Sequence, residues 1–172
     1  MDPQAKELVA AMAAGRPEGF AVVYDRLGRV LLNVARAMLH DKSEAEDAVQ
    51  DVFVELVRYR HRLAQVQDLE AYGFAVLRHR IWRRLKQQRQ EQRRRRDRAA
   101  IKPAPEDADS TEELTAALAA LPAKQREVIA LKIDGGRTFA QIGQILQISP
   151  NTAASRYRYA LEKLRQVLES SS

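Results

Sequence analysis

Cysteine is absent from the 172 residues, which excludes disulfides and thiolate metal sites and leaves a reducing cytoplasm as a compatible setting. Glycine and proline are scarce, at 7 and 6 residues, so little in the chain interrupts helices. No stretch reaches the ~20 apolar residues that a membrane span requires. The opening MDPQAKELVAAMAAGRPEGF lacks a charged head followed by a long apolar run, and is not read as a secretory signal. The three histidines, His40, His61 and His79, lack metal-ligand spacing. No nucleophile–base pair, glycine-rich phosphate loop or carboxylate constellation is present. The expectation is a cytoplasmic, non-catalytic protein with no metal or cofactor and no membrane partner.

What is abundant is helix former and charge. Hydrophobic residues make up 45% and charged residues 30% of the chain, and Ala, Leu, Arg, Gln and Glu dominate. An all-α fold is predicted. The net charge of +6 is unevenly placed: residues 1–77 sum to −3, residues 78–98 to +9 and residues 99–172 to zero. A solvated helix face usually mixes signs, so a block this one-sided points to nucleic acid. It has no bulky apolar face of the kind a membrane-surface helix carries.

Apolar periodicity divides the chain. A short helix is expected over 4–14, stopped by Gly15 and Pro17. A second runs over 18–39 on the stripe Phe20, Val23, Leu27, Leu31, Val34 and Met38. A third begins at Ser43, whose spacing to Glu46 suits a capping box, with Ala45, Val49, Val52, Phe53 and Leu56 turned inward. Asp47, Gln50, Asp51, Val54 and Arg58 fall on another face. Residues 59–67 lose the pattern and read as a loop. Asp68 is placed to cap a fourth helix that becomes wholly polar beyond Leu85. IKPAPEDADS holds two prolines and reads as a flexible linker. The expected organisation is therefore a first domain over 1–98, a linker over 99–110 and a second domain over 111–172. Small helical domains bury little surface each, which leaves room for a partner.

In the second domain, helices are expected over 111–120 and 123–133, the latter stopped by Gly135 and Gly136. TFAQIGQIL, a turn of about three residues and a long helix from Pro150 then form a helix-turn-helix, with Ser149 as cap. Ala140, Gly143 and Ile148 fit its inner corner. Ala153, Tyr157, Leu161, Leu164 and Leu168 point inward on the last helix. Asn151, Ser155 and Arg158 share its outward face, flanked by Arg156 and Tyr159. A helix N-terminus fits the major groove, where Arg pairs twice with guanine and Asn with adenine. Tyr72, Phe74 and Trp82 lie beside the basic block. Such rings either stack on unpaired bases or fill a core.

These pieces, in this order, resemble the extracytoplasmic-function group of bacterial sigma factors. Sigma region 2 carries a pattern like A-E-D-x-x-Q-x-x-F, here Ala45-Glu46-Asp47-Ala48-Val49-Gln50-Asp51-Val52-Phe53. Region 4 opens with L-P-x-x-x-R-x-V, here Leu121-Pro122 followed by Arg126 and Val128. It closes on a pattern like G-T-V-x-S-R and a Leu-Arg pair, here Asn151-Thr152-Ala153-Ala154-Ser155-Arg156 and Leu164-Arg165.

The resemblance implies roles. The face of Asp47, Gln50, Asp51 and Val54 looks like the surface that grips the polymerase clamp helices. Tyr72, Phe74, His79, Arg80, Arg83, Arg84 and Lys86 look like the reader and holder of the melted −10 element, a single strand. Asn151, Thr152, Ser155, Arg156, Arg158 and Tyr159 look like the reader of the −35 duplex. The linker resembles the segment that threads the polymerase active-site channel. The implied partners are core RNA polymerase and promoter DNA, with room for an anti-sigma factor. Several positions depart from the family pattern: His79 stands at a usual Asn, Tyr72 at a usual Trp and Gly73 at a usual Leu. Arg83 stands at a commonly acidic or amide position, Gly143 at a common Ala, and Ala154 at a commonly basic one. Two rival functions share some of these features. One is a sigma mimic that binds an anti-sigma partner and never DNA; the other is a stand-alone helix-turn-helix regulator. The +9 block and intact recognition helix speak against the first, and the extra first domain and lack of a dimerisation helix against the second.

Overall fold

The computed structural model describes residues 3–39, 41–96 and 110–170; His40 and most of the expected linker lie outside them. Among the described residues the regular elements are all helical, and none is long and apolar enough to cross a membrane. The α-helices are α1 (Pro3–Ala13), α2 (Pro17–Leu39), α3 (Lys42–Arg58), α4 (Leu69–Arg96), α5 (Ser110–Ala120), α6 (Ala123–Ile129), α7 (Phe139–Leu146) and α8 (Pro150–Ser170).

Local chemistry explains most of these boundaries. Asp68 accepts a hydrogen bond from the Ala71 backbone N–H at 2.9 Å and starts α4. Ser149 does the same for Thr152 at 3.0 Å and starts α8. The cap of α3 is Asp41, which accepts from Glu44 N–H at 2.8 Å, and not Ser43. Asp is an equally good cap and stands earlier in the chain, so Ser43 falls inside the first turn. Glu46 is then left to pair with Arg36 at 3.3 Å. The expected loop over 59–67 contains a 3₁₀ turn, Arg60–Gln65, pinned by the fully buried Leu63 and packed against α1. After α6 the backbone widens into a π turn, Ala130–Asp134. A Cβ on Gly135 would sit 2.6 Å from the Leu131 carbonyl oxygen, so this exit needs glycine.

The first half packs α2, α3 and α4 around Val23, Leu27, Leu31, Val52, Leu56, Phe74 and Leu77. The second half has a smaller core of Ala117, Leu121, Ile129, Ala160 and Leu164 between α5, α6 and α8. Ala160, fully buried, takes the inward position expected of Leu161, which is 42% exposed: the steps 153, 157, 160, 164 keep to one face, and Leu161 falls on its edge. Ala140 is likewise exposed instead of lining the helix-turn-helix corner. Gly143 does line it, because a Cβ there would meet the Ile148 carbonyl oxygen at 2.7 Å.

The two halves are in contact. Val128, Leu131, Ile142 and Ile145 join the core of the first half, against Val34, Met38, Phe74, Leu77 and Ile81. Phe74 is 1% exposed in this seam, and the Arg137 guanidinium lies 5.3 Å from its ring centre. The sequence-based expectation that Phe74 contacts the −10 strand is corrected accordingly: in this arrangement its ring is core. Phe74→Ala is expected to destabilise the chain by about 3–5 kcal/mol, the usual cost of removing a buried phenyl ring. Urea unfolding followed by circular dichroism checks this; a loss under about 1 kcal/mol, within the range of surface substitutions and small repackings, would return Phe74 to the surface.

Candidate nucleic-acid interface and protein-binding face

On α3 the inward residues Ala45, Ala48, Val49 and Val52 are buried, while Asp47 and Gln50 are exposed and Val54 is 63% exposed. Asp51, expected with them, is turned toward α4 and pairs with Arg84 at 3.1 Å. Beside Gln50 runs a groove between α2 and α3 lined by Tyr24, Gly28, Leu32, Val49 and Phe53. The rings of Tyr24 and Phe53 meet at 4.8 Å. Sequence reasoning missed Tyr24. The available signal was an aromatic residue off the inward stripe of α2, now seen 58% exposed.

The basic helix divides into two classes of cation. Arg80 is ion-paired with Glu55, and Arg84 with Asp51, both across the α3–α4 contact, and Gln88 donates to Glu44. Their charge is neutralised inside the first half. His79, Arg83 and Lys86 are exposed. A shallow groove along the helix is lined by Trp82, Lys86, Arg89, Gln90 and Arg93, so an indole edge and three cations face it together. Tyr72 is half-buried; burial, then the Glu55 carboxylate, holds its phenol above its ordinary pKa and therefore protonated.

Between the halves, Glu127 on α6 is a buried carboxylate that accepts from Arg78 Nε at 2.8 Å and from Trp82 Nε1 at 2.9 Å. Arg137, after the π turn, is ion-paired with Glu70 at the start of α4. Arg126 is also buried. Its Nη1 donates to the Ala119 carbonyl at 2.8 Å, closing the C-terminal end of α5. Burial, then the nearby Arg89 charge, lowers its pKa from the usual arginine value.

The helix-turn-helix is locally over-determined. Thr138 and Gln141 form a reciprocal capping box on α7, Gln147 adopts a left-handed conformation (φ 55°) at the turn, and Ser149 caps α8. The N-terminal face of α8 is open: Asn151, Thr152, Arg158 and Tyr159 are exposed, and Ser155 and Arg156 are half-buried. The Thr152 hydroxyl is already bonded to Ser149 Oγ at 2.8 Å, leaving Asn151, Ser155 and Arg158 as the polar groups best placed to reach outward.

The description "Sigma-70 region 2" matches residues 23–91, and "Sigma-70, region 4" matches residues 117–166. The ECF RNA polymerase sigma factor SigK of Mycobacterium ulcerans (strain Agy99) is 26% identical over 174 residues, spanning 95% of this chain and 93% of that protein. Among solved structures, the sigma factor RpoE in complex with the anti-sigma factor NepR from Bartonella quintana superposes with a TM-score of 0.63 at 26% identity. That match covers 84% of this chain and 95% of RpoE. CnrH, solved in complex with the cytosolic domain of CnrY, gives a TM-score of 0.70 over 97% of this chain and 98% of its own, and at 22% identity supports the fold.

Proposed function

This chain belongs to the sigma-70 family of RNA polymerase sigma factors, in its extracytoplasmic-function group, and from that premise we propose how its parts divide the work. It binds core RNA polymerase, directs it to specific promoters and assists their opening. Residues 1–98 form the polymerase-binding and −10 unit, 99–110 the linker and 111–172 the −35 unit. Asp47, Gln50 and Val54, with the Tyr24–Phe53 groove beside them, receive the polymerase clamp. Asn151, Ser155 and Arg158 read base edges in the −35 major groove, with Arg156 and Tyr159 at the flanking backbone. His79, Arg83 and Lys86 hold the displaced −10 strand, and Arg80 and Arg84 shape that helix through their α3 carboxylates. Opening proceeds by capture: unpairing costs energy that stacking and phosphate contacts offset. The chain performs no chemistry itself and works in the cytoplasm.

The observation that carries this reading is the capped, outward-facing N-terminus of α8 on the same chain as the exposed α3 face and a helix-borne charge block. A gel shift of promoter DNA with and without core polymerase tests it. A polymerase-dependent shift is expected. A shift by the chain alone identifies a stand-alone regulator, and none in either case a sigma mimic.

A further inference from the structure

We propose that α1 is a positioning element for promoter opening: it holds the 3₁₀ turn Arg60–Gln65 in one pose, and that pose sets the aromatic and cationic groups around Tyr72 against the melted −10 strand. On the proposed reading, on which this inference rests, the exposed face of α4 meets that strand. The turn leads into α4 through Val66–Asp68 and leaves His61 and Arg62 exposed beside Tyr59. The Tyr59 ring is 37% exposed, with the Arg58 and Arg62 guanidinium groups 5.9 and 5.5 Å from its centre. Burial is the main cause of the raised Tyr72 pKa, and Glu55, Arg62 and Tyr59 act on it too, so the turn and the start of α4 form one surface. A ring flanked by guanidinium groups suits unpaired bases and their phosphates.

The turn does not fix its own pose. A 3₁₀ segment has poorer hydrogen-bond geometry than an α-helix and seldom runs beyond about four residues. This one has 6 residues, and Leu63 is its one buried side chain. Leu63 has no exposure and lies in the same core as Val9 and Met12 of α1, on which the turn packs. The second hold is polar. α1 ends at Gly15, left-handed at φ 74°, where the Gly15 N–H donates to the Met12 carbonyl at 2.9 Å and the Arg16 N–H to the Ala11 carbonyl at 3.0 Å. Arg60, the first residue of the turn, lays its guanidinium over this end: a Cβ on Gly15 would stand 3.3 Å from Arg60 Nε. A cation is favoured at a helix C-terminus, where the peptide dipoles leave partial negative charge.

α1 is itself braced from behind. It crosses α2 at Gly19, where a Cβ would meet the Met12 backbone nitrogen and the Ala11 Cβ, each at 3.1 Å, so a side chain there would crowd the crossing. None of the residues assigned to polymerase or to DNA lies on α1, and the whole helix precedes residue 23, where the match to region 2 begins. α1 therefore acts on the strand through the turn it supports. Loosening its hold leaves the α3 face and α8 intact and blurs the aim of Tyr59, Arg62 and Tyr72.

Transcription by core polymerase with the full chain, from a library randomised at both promoter elements, tests this role. Met12→Ala removes most of a side chain from the core that α1 shares with the turn. Discrimination among bases at the −10 element should fall by roughly tenfold, about the worth of one stacked base, with −35 preference and affinity for core polymerase kept. Met12→Leu, of similar volume, should restore it. A merely structural role for α1 would lower the active fraction and weaken all promoters alike, with base preference unchanged. That result in a variant of wild-type helical content overturns the proposal, and so does preference relaxed at both elements. If Met12→Ala loses helix by circular dichroism, Gly15→Ala, which presses a Cβ against Arg60, is judged in its place by the same criteria. Wild-type chain that supports no polymerase-dependent transcription counts instead against the sigma reading, so the two failures are distinguishable.

Discussion

Asp47→Arg combined with Gln50→Ala is expected to abolish assembly with core RNA polymerase while leaving the helical content unchanged. Both residues are exposed on α3, and neither is part of the buried stripe Ala45, Ala48, Val49 and Val52, so the fold does not depend on them. An interface built on this face would enclose the Asp47 charge together with the Tyr24–Phe53 ring pair. Truncating one partner of a desolvated, hydrogen-bonded charge pair costs about 2–5 kcal/mol, and reversing the charge adds repulsion to that. Affinity should therefore fall by at least about thirtyfold, at about 1.4 kcal/mol per tenfold. Titration of labelled core polymerase measures the loss, and unimpaired assembly by the double variant would remove polymerase binding from this face. Asp51→Ala should behave differently. Asp51 is tied to Arg84, so its loss is expected to loosen the α3–α4 contact and act mainly through local stability.

What the sequence made legible is what short-range chemistry determines. The α2 stripe, the Asp68 and Ser149 caps, the Gly135–Gly136 stop and the helix-turn-helix all depend on residues within a turn or two of one another. What escaped it are relations across the fold. Arg80 and Arg84 read as phosphate holders because nothing local assigns them partners. Their carboxylates, Glu55 and Asp51, lie 25 and 33 positions earlier. Phe74 sits in a pattern that suits either a stacking ring or a core ring, and only the approach of Arg137 and the second half decides between them. Glu127 looks like one more charge on a short helix until its bonds to Arg78 and Trp82, 49 and 45 positions away, are seen. Two signatures separated by a proline-containing linker suggest independent domains. The apolar residues that α2 and α4 share with the second half are indistinguishable by periodicity from those that face their own core.

Specificity and affinity should separate when Arg158→Ala is compared with the double variant Arg83→Ala, Lys86→Ala. Arg158 is exposed on the outward face of α8 and rests 6.0 Å from the Tyr159 ring centre, a loose approach that leaves its guanidinium free to pair with a guanine edge. Its removal should relax preference at one or two −35 base pairs, at about 1–3 kcal/mol per missing pairing, or roughly ten- to a hundredfold in occupancy of the best promoters. Arg83 and Lys86 are exposed on α4, where they are placed to meet phosphates and not base edges. Their removal should weaken all promoters alike and flatten the salt dependence by about 1.4 units of slope, since each phosphate a cation neutralises on a single strand adds about 0.7. Arg84→Ala is the control. Arg84 is engaged by Asp51, and its side chain is 21% exposed. It should leave the salt slope close to wild type and cost on the order of 1 kcal/mol in stability, the usual size of a partly solvated ion pair. Transcription from a promoter library randomised at both elements, run at two salt concentrations, reads all three variants together. If the α4 double variant shifted −35 sequence preference while Arg158→Ala altered only the salt response, the two helices would have to exchange roles. If Arg84→Ala flattened the salt slope as much as Arg83→Ala and Lys86→Ala do, the α3 carboxylate would have to release its arginine when DNA binds.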